Sequence, residues 1–199
     1  MDDHIVARPP AALEAILGDT AALGFNMASE PKTGALLKVL AASKPGGRIL
    51  EIGTGTGVGT SWLLDGMNEG AHLDTVDSDA MVSAVARRHL GSDSRVTFHL
   101  ADGAEFVSRS TPERFDLIYA DAWPGKFSHL DQALSLLRLG GMYLIDDLLP
   151  QTNWPDGHAL KVPALISDLE SRSAFVSVKL SWASGLMILV RQERAKDPR

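Results

Sequence analysis

Acidic residues hold the positions in this chain where chemistry is most easily built. Asp121 closes the apolar run Phe115–Ala120, and Asp146 and Asp147 close the run Met142–Ile145. If these runs are adjacent parallel strands, the three carboxylates meet at one edge of a sheet. There they repel one another unless a cation or a proton sits among them. Hard oxygen donors with room left for water suit Mg²⁺, Mn²⁺ or Ca²⁺. A divalent cation, Mg²⁺ before the others, is therefore expected at Asp121, Asp146 and Asp147. Two further residues bear on proton transfer. Lys126 follows Trp123 after a Pro-Gly pair, and His158 ends the Trp- and Pro-containing stretch 151–158, which reads as a lid loop over the sheet edge. Either could take a proton from an acceptor hydroxyl. A solvated loop lysine and a lone surface histidine are the competing readings. Asn153, in the same stretch, offers a neutral oxygen donor.

A second constellation points to a nucleoside. The strand-like run Arg48–Ile52 carries Glu51 and leads directly into Gly53, Gly55, Gly57 and Gly59. Such a loop brings bare backbone against a ligand at the carboxyl edge of a sheet. The dinucleotide fingerprint G-x-G-x-x-G is absent: counted from Gly53 its last glycine would be Val58, and counted from Gly55 it would be Thr60. No Gly-Lys-Ser/Thr follows, so this is not a Walker-type phosphate loop either. The charge on Glu51 favours a ligand with hydroxyls and a positive group over a pyrophosphate. Asp77 comes about 20 residues after Gly57, where a carboxylate reaches ribose hydroxyls in doubly wound folds. Asp102, just before Gly103, could accept from an adenine amino group. Helix capping by Asp77 and a simple turn at Asp102 are the alternatives.

These side chains need a scaffold, and the hydrophobic pattern supplies one. Strands are expected at Arg48–Ile52, Leu73–Val76, Val96–Leu100, Phe115–Ala120 and Met142–Ile145, with helices between them. The helices fall near Thr60–Met67, after a cap at Ser78 or Asp79, at Leu130–Leu139 up to a Gly-Gly stop, and at Val162–Glu170. Ser29 or Thr33 is expected to cap an earlier helix through Leu40, and residues 1–26 supply an accessory helix. Phe175–Leu180 and Leu186–Val190 close the chain as an antiparallel pair. Alternation of this kind with apolar strands means a mostly parallel sheet covered on both faces, an α/β doubly wound fold.

Composition narrows the partners. The chain has 199 residues, 45% of them hydrophobic and 22% charged, with a net charge of −6 and no cysteine. A thiolate metal site, a disulfide framework and a cysteine nucleophile are thereby excluded. No basic cluster exists to neutralise phosphates, so nucleic acid is not an expected partner. No apolar run approaches the length that spans a bilayer, and the acidic N-terminus is not a signal peptide. A cytoplasmic protein is expected. The apolar final strands could carry a homodimer interface or simply be core.

Taken together, Glu51-x-Gly53-x-Gly55, Asp77, Asp102, Phe115–Asp121 and Leu139–Asp147 resemble the class I S-adenosylmethionine-dependent methyltransferases. Within that class the pattern is similar to the small O-methyltransferases of catechol and caffeoyl-CoA type, over about Met27 to Gln192, leaving 193–199 as a charged tail. The resemblance implies a Rossmann-like seven-stranded sheet whose last strand is antiparallel. It implies S-adenosylmethionine as cofactor, held by Glu51 with the Gly53-Thr54-Gly55 backbone at the methionine part. Asp77 with Ser78 would lie at the ribose, and Asp102 with Gly103 and Ala104 at the adenine. It brings Met27 near the sulfonium and Trp123 near the adenine, with Asp121 also at the cofactor; simple core packing for Met27 and a lid or core aromatic for Trp123 are the alternatives. Relatives of this type carry Asp…Asp-Asn at the metal, whereas here Asp147 stands in place of Asn; they also have Lys directly after the Trp, whereas here Pro124 and Gly125 intervene. The implied activity is methyl transfer to a small hydroxylated acceptor, assisted by a divalent cation. A metal-independent O- or N-methyltransferase using His158 or an Asp as base, and a non-catalytic cofactor-binding protein, are the alternatives.

Overall fold

The structure, a computed structural model, describes residues 7–193. Seven strands form a single sheet: β1 (Arg48–Ile52), β2 (His72–Asp77), β3 (Val96–Leu100), β4 (Phe115–Ala120), β5 (Leu137–Ile145), β6 (Phe175–Leu180) and β7 (Leu186–Arg191). They lie in the order β3-β2-β1-β4-β5-β7-β6. β1 to β5 pair parallel, while β7 runs antiparallel between β5 and β6. The order reverses between β1 and β4. In open α/β sheets a ligand crevice opens at the carboxyl ends of the strands at such a reversal.

Helices cover both faces because successive residues of a strand point to opposite sides. On one face Ile49, Leu73 and Leu117 pack against α1 (Leu13–Leu23), α2 (Pro31–Ala42) and α3 (Val58–Gly66) through Ile16, Leu37, Trp62 and Leu63, all buried. On the other face Leu50, Val76 and Ile118 meet Val107, Leu134 and Leu165 of α5 (Gly103–Arg109), α6 (Leu130–Ser135) and α7 (His158–Glu170). α4 (Ala80–Leu90) starts at Asp79, whose side chain accepts from the N–H groups of Met81 and Val82. Asp79 rather than Ser78 is thus the cap. Among the described residues no helix is long and apolar enough to cross a membrane.

Several boundaries differ from expectation. The Leu130–Leu139 segment is helical only to Ser135, and Leu137–Leu139 belong to β5. Buried Leu137 registers against Phe115, and the pairing then shifts before Leu117 meets Met142. Gly140 takes φ +74°, and a Cβ on Gly141 would come within 3.1 Å of the Phe115 carbonyl oxygen. The glycine pair therefore makes an irregularity inside the strand, not a helix stop. α5 had no expected counterpart; Asp102 starts it by accepting from the N–H groups of Ala104 and Glu105. α7 begins at His158, ahead of Val162. Glu30 occupies the N-cap of α2 with Pro31 in the first turn, so neither Ser29 nor Thr33 caps it.

Candidate active site

A cavity of about 370 Å³ opens at the carboxyl ends of β1, β2, β4 and β5. The loops after these four strands supply its wall. Gly53, Thr54, Gly55, Asp77, Asp121, Trp123, Lys126, Asp146, Asp147 and His158 all line it, as does the half-exposed Met27 from the segment before α2. Sequence reasoning placed each of these at a site, and the fold brings them to one crevice.

The glycine loop owes its shape to two close approaches. Gly53 has φ +103°, and a Cβ there would meet the Asp121 carbonyl oxygen at 2.7 Å. Gly57 has φ +91°, and its Cβ would fall 2.7 Å from that of Ala86 in α4. Only glycine lets the loops after β1 and β4 touch and lets α4 pack beneath the turn. Asp77 ties the loop to β2: Oδ2 accepts from the Gly55 N–H at 2.8 Å, and Oδ1 accepts from the Asp79 N–H at 2.9 Å. Each oxygen keeps a further lone pair for a ligand hydroxyl. Thr20 of α1 donates to the Thr56 hydroxyl at 2.8 Å, clamping the loop from the N-terminal side.

Glu51 lies behind the wall and does not line the cavity. It is 1% exposed, and a Cβ on Gly59 would fall 2.6 Å from its Oε1. Oε2 accepts from the hydroxyls of Thr60 and Thr75, while Oε1 has no partner among the described residues. Burial pushes this carboxyl up to about 8 against the pull of the two threonines, with the nearby charge of Asp77 adding to the rise. At neutral pH it is predominantly a carboxylic acid. Ser78, Asp102, Gly103 and Ala104 also stand outside the cavity wall. The Asp102 carboxylate is engaged in capping α5.

The acidic cluster is arranged around a lysine. Lys126 is buried, and its Nζ lies 3.5 Å from Asp121 Oδ1 and 3.6 Å from Asp147 Oδ2. It donates to the Asp146 carbonyl oxygen at 3.1 Å. The Tyr119 hydroxyl lies 2.8 Å from Asp146 Oδ2 and 3.0 Å from Asp121 Oδ2. Asp146 Oδ1 accepts from the Ser184 hydroxyl and from the Asp147 N–H. Ser29 Oγ reaches Tyr119 and Asp121 at 3.2 and 3.4 Å. Burial raises both Asp121 and Asp146, their negative neighbours raise them further, and Lys126 pulls both down. Burial and the two carboxylates push the Tyr119 phenol well above its usual range.

The divalent-cation expectation meets a different arrangement here. Among the described residues no three His, Asp or Glu side chains are placed to hold a metal ion. Asp146 has both oxygens engaged by protein donors, and an ammonium stands among the carboxylates. The ligand set expected at Asp121, Asp146 and Asp147 does not fit a metal in this arrangement.

His158 caps the cavity on the α7 side. Its ring stacks on Trp154 at 4.4 Å between centroids and meets Phe127 edge-on at 4.9 Å. Nε2 lies 3.0 Å from the Asp147 carbonyl oxygen, which can only accept, so Nε2 carries the hydrogen of the neutral ring. Nδ1 then holds a lone pair, is buried and has no partner among the described residues. Asn153 donates its amide N–H to the Asn26 carbonyl at 2.7 Å, joining the 151–157 loop to the segment around Met27. Trp123 is 40% exposed and sits edge-on to Phe127.

Sequence reasoning missed Ser29, Tyr119, Trp154 as a ring partner, and Ser184. Tyr119 had a signal, since it is two residues before Asp121 and so shares its side of β4. Ser184, in the turn between β6 and β7, had none.

This fold and this crevice define an α/β protein of the methyltransferase kind. Residues 50–148 match a family described as a methyltransferase domain. A protein of Mycobacteroides abscessus named as an O-methyltransferase is 31% identical over 173 residues, covering 81% of this chain and 80% of the relative. The chain belongs to this O-methyltransferase family. A second such protein, from Mycolicibacterium vanbaalenii, is 32% identical over 123 residues; that match covers 59% of this chain and spans about half (54%) of the relative's length. The O-methyltransferase of Bacillus cereus, solved in complex with SAH, superposes with a TM-score of 0.79 at 21% identity, over 94% of each chain. At that identity it speaks for the fold alone.

Proposed function

We propose that this protein is an S-adenosylmethionine-dependent O-methyltransferase acting on a small hydroxylated acceptor. The observation that carries the reading is the crevice at the sheet reversal. There the glycine loop presents backbone, Asp77 presents carboxylate lone pairs, and a ring of titratable side chains stands on the far side. Bound S-adenosylmethionine would supply an electrophilic methyl group on a good leaving group, so no covalent enzyme intermediate is needed. The protein's work is to align the acceptor oxygen with that methyl and to relieve the oxygen of its proton. The unpartnered Nδ1 of His158 is the group suited to receive it once the ring is uncovered to an acceptor, because the Asp147 carbonyl fixes the tautomer. Trp154 and Trp123 offer flat apolar surface for an acceptor ring. Asp77 orients the ribose.

Calorimetric titration of the purified protein with S-adenosylmethionine tests the reading, followed by detection of S-adenosylhomocysteine over a panel of phenols, catechols and aliphatic alcohols. Saturable binding and turnover with at least one hydroxylated acceptor are expected. Asp77→Ala should weaken binding by about 1–3 kcal/mol, the cost of leaving buried hydroxyls without a partner. Absence of cofactor binding would overturn the proposal.

A further inference from the structure

We propose that the ammonium of Lys126 is the resident cation of this site. It stands where the resemblance implies a divalent metal, and it supplies the positive charge that faces an acceptor oxygen. The clause about the acceptor rests on the methyltransferase reading; the cation itself rests on geometry alone.

Three observations carry the inference. First, the place is taken. Nζ lies between Asp121 Oδ1 at 3.5 Å and Asp147 Oδ2 at 3.6 Å, and it donates to the Asp146 carbonyl. A Mg²⁺ bound to the same two carboxylates would sit about 2.1 Å from each oxygen. It would then press against an ammonium that has no lone pair to offer and carries charge of the same sign. Metal and ammonium exclude each other. Second, the remaining carboxylate is already partly engaged by protein donors, both lone pairs of its Oδ1 included. Asp146 gives Oδ1 to Ser184 and the Asp147 N–H, and Oδ2 to Tyr119. Third, the backbone aims the lysine. The turn 123–128 is closed by the Lys126 N–H on the Trp123 carbonyl at 3.1 Å and by the Gly125 N–H on the Ser128 carbonyl at 2.8 Å. Gly125 has φ +87°, and a Cβ there would meet the Tyr143 hydroxyl at 2.7 Å. That hydroxyl donates to the Gly125 carbonyl at 2.8 Å. The Pro-Gly insertion is thus pinned to β5 and turns the side chain of Lys126 inward, where it is 2% exposed.

The charge pattern agrees. An Asn at position 147 would leave the lysine one anionic neighbour in contact; Asp147 gives it a second. The extra carboxylate is a natural complement to a fixed monovalent cation.

The test is Mn²⁺ titration of the full chain, followed by the loss of free-ion signal in electron paramagnetic resonance, without cofactor or acceptor. The wild type is expected to show no site tighter than about 1 mM, weaker than the usual range of dedicated carboxylate cation sites. Lys126→Met keeps the length and removes the charge; it is expected to acquire one Mn²⁺ site at least roughly tenfold tighter, abolished by adding Asp121→Asn. Should Lys126→Met not fold by circular dichroism, Lys126→Gln serves the same comparison. A wild-type chain that takes one Mn²⁺ tightly and loses it in Asp121→Asn overturns the proposal. A folded Lys126 variant as indifferent to Mn²⁺ as the wild type also overturns it, because the carboxylates would then not form a cation site. Either result leaves the methyltransferase reading standing if S-adenosylmethionine still binds.

Discussion

The carboxyl of Glu51 makes stability depend on pH in a direction opposite to that of most acidic residues. Its value is about 4.5 when free and about 8 when buried in the folded chain. Between these values the folded state holds a proton that the unfolded state releases. The stabilisation is fully present below about pH 4.5 and is lost as pH rises through about 8. The full swing is about 5 kcal/mol, from 3.5 units at about 1.4 kcal/mol each. Between pH 5 and pH 8.5 the same linkage amounts to about 4 kcal/mol. Glu51→Gln removes the titration and keeps the shape. The amide oxygen can accept from Thr60 and Thr75 as Oε2 does, and the amide nitrogen takes the place of the unpartnered Oε1. Urea denaturation of the cofactor-free wild type and variant should give similar stabilities near pH 5. They should diverge steadily above it, the variant being the more stable by several kcal/mol at pH 8.5. Comparing the two chains cancels the other titrating groups. Parallel pH profiles would refute the reasoning, since a buried proton held only by the fold cannot leave both curves unmoved.

Other outcomes follow from the same geometry. His158→Gln keeps a group beside the Asp147 carbonyl but removes the base, so turnover should fall by about 10²-fold or more with cofactor affinity retained; equal rates would remove His158 from the chemistry. Asp102→Ala strips α5 of its cap and should lower stability by about 1 kcal/mol in thermal melts. If Asp102 also holds the adenine, S-adenosylmethionine affinity falls as well, and calorimetry separates the two roles. Gly57→Ala places a side chain at positive φ against Ala86 and should cost more than about 1 kcal/mol; an unchanged melting temperature would contradict the packing account of the loop.

What was legible in the chain is whatever short-range pattern encodes. Apolar runs alternating with helical spacing specify a parallel sheet covered on both faces, because each strand must hide both its sides. Residues closing β1, β2, β4 and β5 then share one edge, so Asp77, Asp121, Asp146 and Asp147 could be gathered in advance at a single crevice. Local pattern misjudged Leu137–Leu139, since Gly-Gly reads as a helix end while the pairing of Leu137 with buried Phe115 draws the segment into the sheet. It also could not tell that Glu51 is sealed behind Gly59, or that Asp102 spends its carboxylate on a helix start.

The sequence by itself determined which chemical groups are available and which end of the sheet they reach, because strand periodicity and chain order are local properties. Only the tertiary structure decided that Lys126 stands among the aspartates, that Ser184 and Tyr119 engage Asp146, and that a carbonyl fixes the tautomer of His158. Those contacts join segments far apart in the chain, and their distances follow from the packing of whole elements, which spacing along one strand does not record.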